Sequence, residues 1–585
     1  MVATSPKNAS FTKSLFFGNI LEEMVFPYPQ MSKEEKETVN ILVDSFKKYA
    51  EKNIDTTKID REEKISPEVM STLSEMGLFG MIIPEKYGGS GLSATAYARV
   101  MQEVCSVDAS LGVTFGGHQS IGLKGIILFG TEAQKKKYLP DLATGKKMAA
   151  FALTEPEAGS DAAGIKTKAI LSEDKKHYIL NGSKIWITNG GIADVFTVFA
   201  KTEEPDEKEG QGNLKKWKIT AFIVTRDMGV RNGPEEHKMG IRGSSTTELY
   251  FENCKVPAEN ILGEPGKGFK VAMEILNNGR LGLAAGCIGG AKKAIKLATT
   301  HATTRKQFGK SIAEFGMIQD KIANITMDTF AAESMIYMTT ALIDRGVEDY
   351  SLESAICKIF SSESAWRVIN EAVQIGAGIA YMREYPYEQL LRDARINIIF
   401  EGTNEILRCF TALAGMQGPG QYLKEVGQAM RYPLKGIGPL SDFAVKKISR
   451  DIVGLGDRIT KADIYLKKET ALIEDYVKYL ATAVEKTLMK HQKTIWEKEF
   501  VQRRIANAVI DLYAMICTVS RTTSFIQKDG LAKSKYVIQL CQSFCDRASR
   551  RIKRNLRSMD GNDDERLKDL SNQTCALSGY PFDIL

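Results

Sequence analysis

The sequence is poor in the features that mark several large classes of protein. No apolar run reaches the about 20 residues needed to cross a bilayer, so the sequence predicts no membrane-spanning helix. Histidine is scarce: His118, His177, His237, His301 and His491 stand alone, with no metal-ligand spacing, which argues against a metal enzyme. Nine cysteines scattered from Cys105 to Cys575 show no paired spacing and fit reduced thiols in an intracellular or matrix compartment. The nearest pair, Cys541 and Cys545, falls one helical turn apart and reads as packing. A surplus of one charge is missing too. A net +7 over 585 residues, acids and bases intermixed, does not indicate a nucleic-acid binder, though it permits a weak attraction to anionic membrane surfaces. The first twenty-one residues lack acids and arginine, carry Lys7 and Lys13, and fit either the remnant of an organelle transit sequence or a flexible arm.

What is present is enough apolar sequence for several domains. From Lys33 to Leu142 apolar residues recur at three and four, with breaks at Pro84 and Gly88-Gly89. Around Ala149 the period shortens to strand-like runs: His177 to Leu180, Lys184 to Thr188, Val195 to Lys201, Trp217 to Thr225 and Glu248 to Phe251. Glu203 to Asn213 reads as a polar hairpin loop between two of them. Helical periodicity returns from Gly268 to about Met416. Such an order predicts an α+β multidomain chain rather than an alternating βαβ sheet. The expected domains are an N-terminal helical domain (30–148), a middle β-barrel or sandwich (149–266), a helical bundle (267–416) and an extra C-terminal helical domain (417–585). In the last, Ile473, Val477, Leu480, Val484 and Leu488 form one amphipathic stripe and Glu499 to Val519 another. Two of its segments are candidates for membrane contact, Leu434 to Leu455 and the basic run Arg547 to Arg557; packing on the protein body explains the first equally well, and a solvated helix face explains the second better.

The stretch with most chemistry is Arg395 to Arg408, RINIIFEGTNEILR. Ile396, Ile398, Ile399 and Phe400 deliver one carboxylate, Glu401, before Gly402 and Thr403 break the run. Water-poor surroundings raise a carboxylate's proton affinity towards that of a base able to take a proton from carbon beside a carbonyl. The same residues also fit an exposed helix-start glutamate followed by a glycine turn.

Three further segments, Phe151 to Gly164 (FALTEPEAGSDAAG), Trp186 to Gly191 (WITNGG) and Arg305 to Gly309 (RKQFG), stand in order with Phe400 to Arg408 (FEGTNEILR). As a set, over residues 30–415, they resemble the acyl-CoA dehydrogenase family. The additional helical unit resembles its very-long-chain branch and a relative that assists respiratory complex I assembly.

The resemblance implies a cofactor, FAD. Phe151, Leu153, Thr154, Gly159 and Ser160 would border the flavin, with Ser160 also reaching substrate; Trp186, Ile187 and Thr188 would pack and hydrogen-bond beside the isoalloxazine; Thr403, Asn404 and Glu405 complete the near side. Arg305, Gln307, Phe308, Gln374 and Gly378 match segments that reach a flavin held mainly by a neighbouring subunit, which implies a homodimer at least. Ala377 and Ala380 depart from the pattern, standing where the family usually has glycine.

For catalysis the resemblance implies that Glu401 takes the α-proton of a fatty acyl thioester while a β-hydride passes to the flavin, leaving a trans-2-enoyl thioester. The Glu401 backbone N–H and a flavin ribityl hydroxyl would polarise the thioester carbonyl. Other members carry the base just before the arginine matching Arg280; here that neighbour is Gly279, so Glu401 is the candidate. Asn277, Arg280, Phe400 and Gly402 would border the substrate. Gly112, Gly116 and Gly117 replace bulky residues that close the pocket of shorter-chain enzymes, and three glycines would cost a helix about 1 kcal/mol each. An ordinary loop turn is the competing explanation.

The function so implied is the first step of mitochondrial β-oxidation of long-chain or very-long-chain acyl-CoA. Electrons would pass to electron-transferring flavoprotein, with the protein in the mitochondrial matrix, peripheral to the inner membrane. Two other readings differ in class. One is a complex I assembly factor of the same fold with vestigial or secondary activity; the other is a nucleic-acid-associated flavoprotein, which the mixed charge disfavours.

Overall fold

The computed structural model describes residues 10–205, 215–431 and 457–582. They divide into two compact units, Tyr28–Ile406 and the described residues of Ala9–Pro27 with Leu407–Leu585.

The first unit begins with helices whose starts are written in the sequence. Helix α1 (Lys33–Asn53) is capped by Ser32, whose hydroxyl accepts the Glu35 N–H; α2 (Pro67–Glu75) has Ser66 as cap and proline in its first turn; α3 (Ala94–Val107) is capped by Ser93. Helix α4 (Ala109–Phe115) runs into a π-helical turn, Gly116–Gly122, so the glycine-rich GVTFGG segment is helical rather than a loop turn. Helix α5 (Glu132–Ala143) opens with a Thr131/Gln134 capping box.

Strands β1 (Ala149–Ala152), β2 (Lys168–Leu171), β3 (His177–Thr188), β4 (Val195–Pro205), β5 (Lys215–Thr225), β6 (Arg231–Glu235), β7 (Thr246–Pro257) and β8 (Ile261–Leu262) form one mixed sheet. Their order is β6-β7-β3-β2-β4-β5-β8, with β1 attached in parallel to β4. Strand β3 joins two runs that the sequence separates at Asn181-Gly182. Pairing with β7 continues through a register shift between Leu180 and Gly182, and at Gly182 a Cβ would lie 2.5 Å from the Thr167 hydroxyl. The glycine therefore marks a bulge and a close approach, not a turn. Strands β4 and β5 pair as far as Pro205 and Lys215, as a hairpin requires; the loop itself lies outside the described residues.

Helix α6 (Gly268–Thr304) is the central element of the helical bundle, packed along α8 (Ser351–Ala380) and against α3 and α7 (Gly316–Asp344). Its Ala291, Ala294, Ala298 and Ala302 are fully buried against Ala365, Val368, Ile369 and Ala372 of α8. Small side chains on both faces let two long helices approach closely, and burying a Val or Ile there contributes about 1.5–3 kcal/mol each. Helix α6 also packs on the π-helical turn, which in turn packs on β1. That stack fixes where helix and sheet residues meet. Helix α9 (Tyr387–Arg395) and a 3-10 turn (Ile396–Ile398) lead to the turn before α10 (Asn404–Arg431).

In the second unit, α11 (Lys467–His491) buries Ile473, Val477, Leu480 and Val484 as its stripe predicts, with Leu488 half-buried. Helix α12 (Glu499–Asp529) is, by length and composition alone, apolar enough to pass for a membrane span, but 83% of that window is buried by protein, making it the unit's core helix. Helix α13 (Leu531–Arg557) buries Ile538, Phe544, Ala548 and Ile552, while Arg551 on its basic run pairs with Asp511 (2.7 Å). The segment after Ala9 is not a flexible arm: Phe11 and Phe16 are buried in this unit, within and beside the helix Phe11–Leu15. The segment Leu434 to Leu455 lies outside the described residues.

Candidate active site

Glu401 and Gly402 adopt left-handed conformations in succession, φ 59° and 91°. Together they turn the chain out of the apolar run, and Thr403 then caps α10, its hydroxyl accepting the Ile406 N–H at 3.3 Å. Holding a glutamate at positive φ costs on the order of 1 kcal/mol or more, and such strain persists only where surroundings over-determine it. Here they do. Arg280 on α6 donates from Nε to the Glu401 carbonyl (3.2 Å) and from Nη1 to Asn277 Oδ1 (2.9 Å). Lys358 on α8 donates from Nζ to the Gly402 carbonyl and to Asn404 Oδ1, both at 2.8 Å.

The carboxylate points inward. Its Oε2 is shut off from solvent and has no hydrogen-bond partner. Burial pushes the Glu401 pKa up to about 7, against the opposing pull of Arg280 and Lys358. Burial likewise lowers Arg280 from its usual range and Lys358 to about 8. Gly279 lies directly against the carboxylate: a Cβ built there would sit 2.9 Å from both carboxylate oxygens and 2.6 Å from Ile121 Cγ2 of the π-helical turn. The missing side chain thus makes room for the carboxylate.

The sheet side supplies a second group of residues. Phe151 is half-buried with its ring 5.0 Å from Phe199, Leu153 is buried, and the Thr154 carbonyl accepts the Ile185 N–H at 3.0 Å. A fully buried Lys184 donates to Glu155 Oε1 (2.7 Å) and the Leu153 carbonyl (3.1 Å), while Glu155 accepts the Thr167 N–H (3.0 Å). This pair pins both ends of the loop that leaves Gly159 and Ser160 exposed, with open space at Gly159. Trp186 falls within a register shift between Lys184 and Ile187, at φ 54°. The irregularity turns its indole outward, 64% exposed, while Ile187 stays buried. Thr188 is half-buried.

Two of the three glycines expected to open a cavity do not do so. A Cβ at Gly112 would lie 2.1 Å from Cys105 Sγ, and one at Gly117 would lie 2.7 Å from Thr188 Cγ2 and 3.1 Å from Asn189 Nδ2. Those positions are small so that protein can pack there; of the three, Gly116 alone faces open space. Asn404 is also placed differently from expectation. It is buried, with its side chain committed to Lys358, Ser362 and Glu363, whereas Glu405 is exposed and Phe400 half-buried.

Arg305, Gln307 and Phe308 lie at the tight hairpin of Lys306–Gln307 and Lys310–Ser311, all exposed, Phe308 at 93%. Gln374 and Gly378 are exposed near the end of α8. Among the described residues no hydrogen bond joins these five to the Glu401 cluster. Ala377 interrupts α8 at φ 52°, ψ −134°, a conformation suited to glycine.

Sequence reasoning passed over Lys358, although a single cation inside the apolar run Ala355 to Phe360 was a visible signal. It also passed over His118. Buried within the π-helical turn, that ring accepts the Ala149 N–H at Nδ1 (2.9 Å) and faces the Leu142 carbonyl from Nε2 (3.1 Å). Burial lowers its pKa to about 4, so it serves as a neutral link between α5 and β1.

A carboxylate at the end of an apolar run, with one oxygen shut off from solvent and left without a hydrogen-bond partner, is suited to holding a proton away from bulk water. Comparison with known proteins identifies the family. Residues 36–146, 150–254 and 266–414 match the N-terminal, middle and C-terminal domains of acyl-CoA dehydrogenase, and residues 465–580 match the ACAD9/ACADV C-terminal domain. The chain belongs to the acyl-CoA dehydrogenase family. It is 45% identical over 561 residues to the mitochondrial very long-chain specific acyl-CoA dehydrogenase of Rattus norvegicus, covering 95% of this chain and 85% of that one. The human protein of that name is 44% identical over 558 residues, covering 94% and 84%. Among solved structures, an acyl-CoA dehydrogenase complexed with FAD from Bacillus anthracis superposes with a TM-score of 0.80 at 35% identity, covering 95% of this chain and 92% of that one.

Proposed function

We propose that the protein is an FAD-dependent dehydrogenase of long-chain and very-long-chain fatty acyl-CoA, converting the saturated thioester to the trans-2-enoyl thioester. The observation that carries this is the Glu401 carboxylate: shielded, unpartnered at Oε2, and raised by burial to about 7. Near neutral pH it is ionised enough to act and basic enough to take a proton from the carbon next to a thioester carbonyl. Arg280 and Lys358 hold the turn by its carbonyl oxygens, so the Glu401 carboxylate and backbone N–H keep a fixed relation. That backbone N–H is the donor assigned to polarising the thioester carbonyl.

The residues present fit a flavin. An indole turned outward by an irregular strand, an exposed Gly159 and Ser160 with room at the glycine, and Thr188 at the strand's end provide a flat apolar surface and polar contacts of the kind a ring system with a phosphate tail requires. Bound FAD supplies acceptance of the hydrogen and electron pair that leave the β-carbon. Glu401 would take the α-proton, Phe151 and Trp186 are among the residues that would hold the flavin, and the Glu155–Lys184 pair keeps the Gly159–Ser160 loop in register.

Homodimerisation is supported by Arg305, Gln307, Phe308, Gln374 and Gly378, which are exposed in the single chain although the family resemblance gives them a cofactor role. A mitochondrial location follows from the relatives named above. Electron-transferring flavoprotein as acceptor and a peripheral position on the inner membrane through the second unit complete the reading. A complex I assembly role with secondary activity is not better supported, given the similarity to very long-chain specific acyl-CoA dehydrogenases over most of the chain. The test is dye-coupled oxidation across acyl chain lengths from C4 to C20. Activity that peaks at long chains supports the reading; activity confined to short chains, or none at any length, overturns it.

A further inference from the structure

Lys358 is fully buried on a helix whose neighbours Ala355, Ile356, Cys357, Ile359 and Phe360 are buried too. An ammonium taken from water into such surroundings costs several kcal/mol unless paired and hydrogen-bonded. An apolar residue of similar volume would pack there without that cost. The side chain spends its charge on one place. Its Nζ bonds the Gly402 carbonyl, one residue past Glu401, and Asn404 Oδ1, three residues past, each at 2.8 Å. The Asn404 amide is oriented by its other end, where Nδ2 donates to Ser362 Oγ and Glu363 Oε1, both at 3.1 Å. A flipped amide would put N–H against ammonium and oxygen against carboxylate, so the acceptor end faces Lys358 by necessity.

We infer that Lys358 is a positioning residue for the proton abstraction: clamped across the Glu401–Gly402 turn, its ammonium holds the base in its left-handed backbone conformation and supplies a cation that keeps the carboxylate ionisable near neutral pH. This rests on the reading of Glu401 as the base. The other charged or titratable groups facing the pair are Arg280 and Cys287 on α6 and Glu363 on α8. Arg280 is the stronger of the two cations acting on the carboxylate, and its Nε and Nη1 donate to the Glu401 carbonyl and Asn277. Glu363 is tied to Asn404, and burial pushes the Cys287 thiol up to about 12, so it stays neutral across the working range. Removing Lys358 therefore alters both the hold on the turn and the charge beside the base while Arg280 stays in place.

The test uses FAD-loaded enzyme without substrate, following the Glu401 carboxyl stretch by infrared difference titration, the band being assigned by its loss in Glu401→Gln. Lys358→Met is expected to move that titration upward by about one pH unit, the usual effect of losing one nearby opposite charge. Acyl-CoA oxidation should then fall roughly sevenfold further at pH 6.5 than at pH 9, because fewer molecules carry an ionised base. A role confined to packing predicts the same titration as wild type and the same fractional loss at every pH, and that result overturns the inference. Lys358→Gln retains an amide donor without the charge. It should show the same upward titration with a smaller loss at pH 9, and it serves where the methionine variant does not fold; an unmoved carboxyl band in this variant also overturns the inference. Absence of acyl-CoA oxidation in wild type would instead sink the functional reading, and the infrared titration would still report on the Lys358–Glu401 pair.

Discussion

Replacing Gly279 with alanine tests the active-site geometry with one methyl group. Its Cβ would start 2.9 Å from both Glu401 carboxylate oxygens and 2.6 Å from Ile121 Cγ2. Carbon atoms in contact prefer about 3.5–4.0 Å, so the π-helical turn or the carboxylate has to retreat by up to about 1 Å. Overpacking of this kind costs about 1–3 kcal/mol, part of which is recovered because alanine favours the helix over glycine by about 1 kcal/mol. Global stability should therefore change little. Activity should not be spared, since a displacement of about 1 Å at a reacting group costs about 10²-fold in rate. The expected outcome for Gly279→Ala is a 10- to 100-fold fall in kcat, about 1.4–2.7 kcal/mol of barrier, with FAD content and thermal midpoint close to wild type. Dye-coupled turnover with a long-chain acyl-CoA, alongside flavin absorbance and a melting curve, measures all three. Wild-type kcat in a folded, FAD-loaded Gly279→Ala enzyme would refute the claim that the carboxylate works from where it lies against this glycine.

Three further outcomes are expected from the same structure. Glu401 has a folded pKa of about 7 against an ordinary 4.5; the unfolded chain releases this proton first, so wild type loses stability as pH rises from about 4.5 to 7, on the order of 3 kcal/mol in all. Glu401→Gln should therefore be more stable than wild type at pH 8 and about equal at pH 4 in denaturant titrations, and equal stability at both values would contradict the burial of the carboxylate. Ala377→Gly should raise the thermal midpoint, because glycine adopts φ 52°, ψ −134° without the 1–3 kcal/mol that strain of this kind costs; an unchanged or lowered midpoint would mean the alanine is unstrained. Lys184→Met removes one partner of a buried pair and leaves Glu155 uncompensated, a loss of about 3–5 kcal/mol, so the variant should retain less FAD through gel filtration than wild type, and full retention would show that the Gly159–Ser160 loop does not depend on the pair.

Much of this architecture was legible because its signals are local. The change from a three-and-four period to alternating β-branched residues near Ala149 marks where helices yield to the sheet, and the apolar run ending in Glu401-Gly402 marks the turn, because an acid followed by glycine is poorly suited to continue a buried segment. What was illegible depends on partners distant in sequence. Asn181-Gly182 has the composition of a turn, yet pairing with β7 carries the strand through it. Gly112 and Gly117 signal only missing side chains; that Cys105 and Thr188 occupy the space is a fact of packing. Residues 10–27 are rich in apolar side chains, but their helices, Phe11–Leu15 and Glu22–Val25, are too short to show a period that would foretell the burial of Phe11 and Phe16 in the second unit. Lys358 is an ordinary helix residue until Gly402 and Asn404, more than forty positions on, are brought to its ammonium.

The most direct measurement is single-turnover bleaching of the bound flavin on mixing with palmitoyl-CoA, comparing wild type with Glu401→Gln. The account predicts that the variant binds FAD and acyl-CoA as wild type does but bleaches about 10²–10⁴-fold more slowly, the contribution of a positioned general base. Bleaching at the wild-type rate by Glu401→Gln would contradict it.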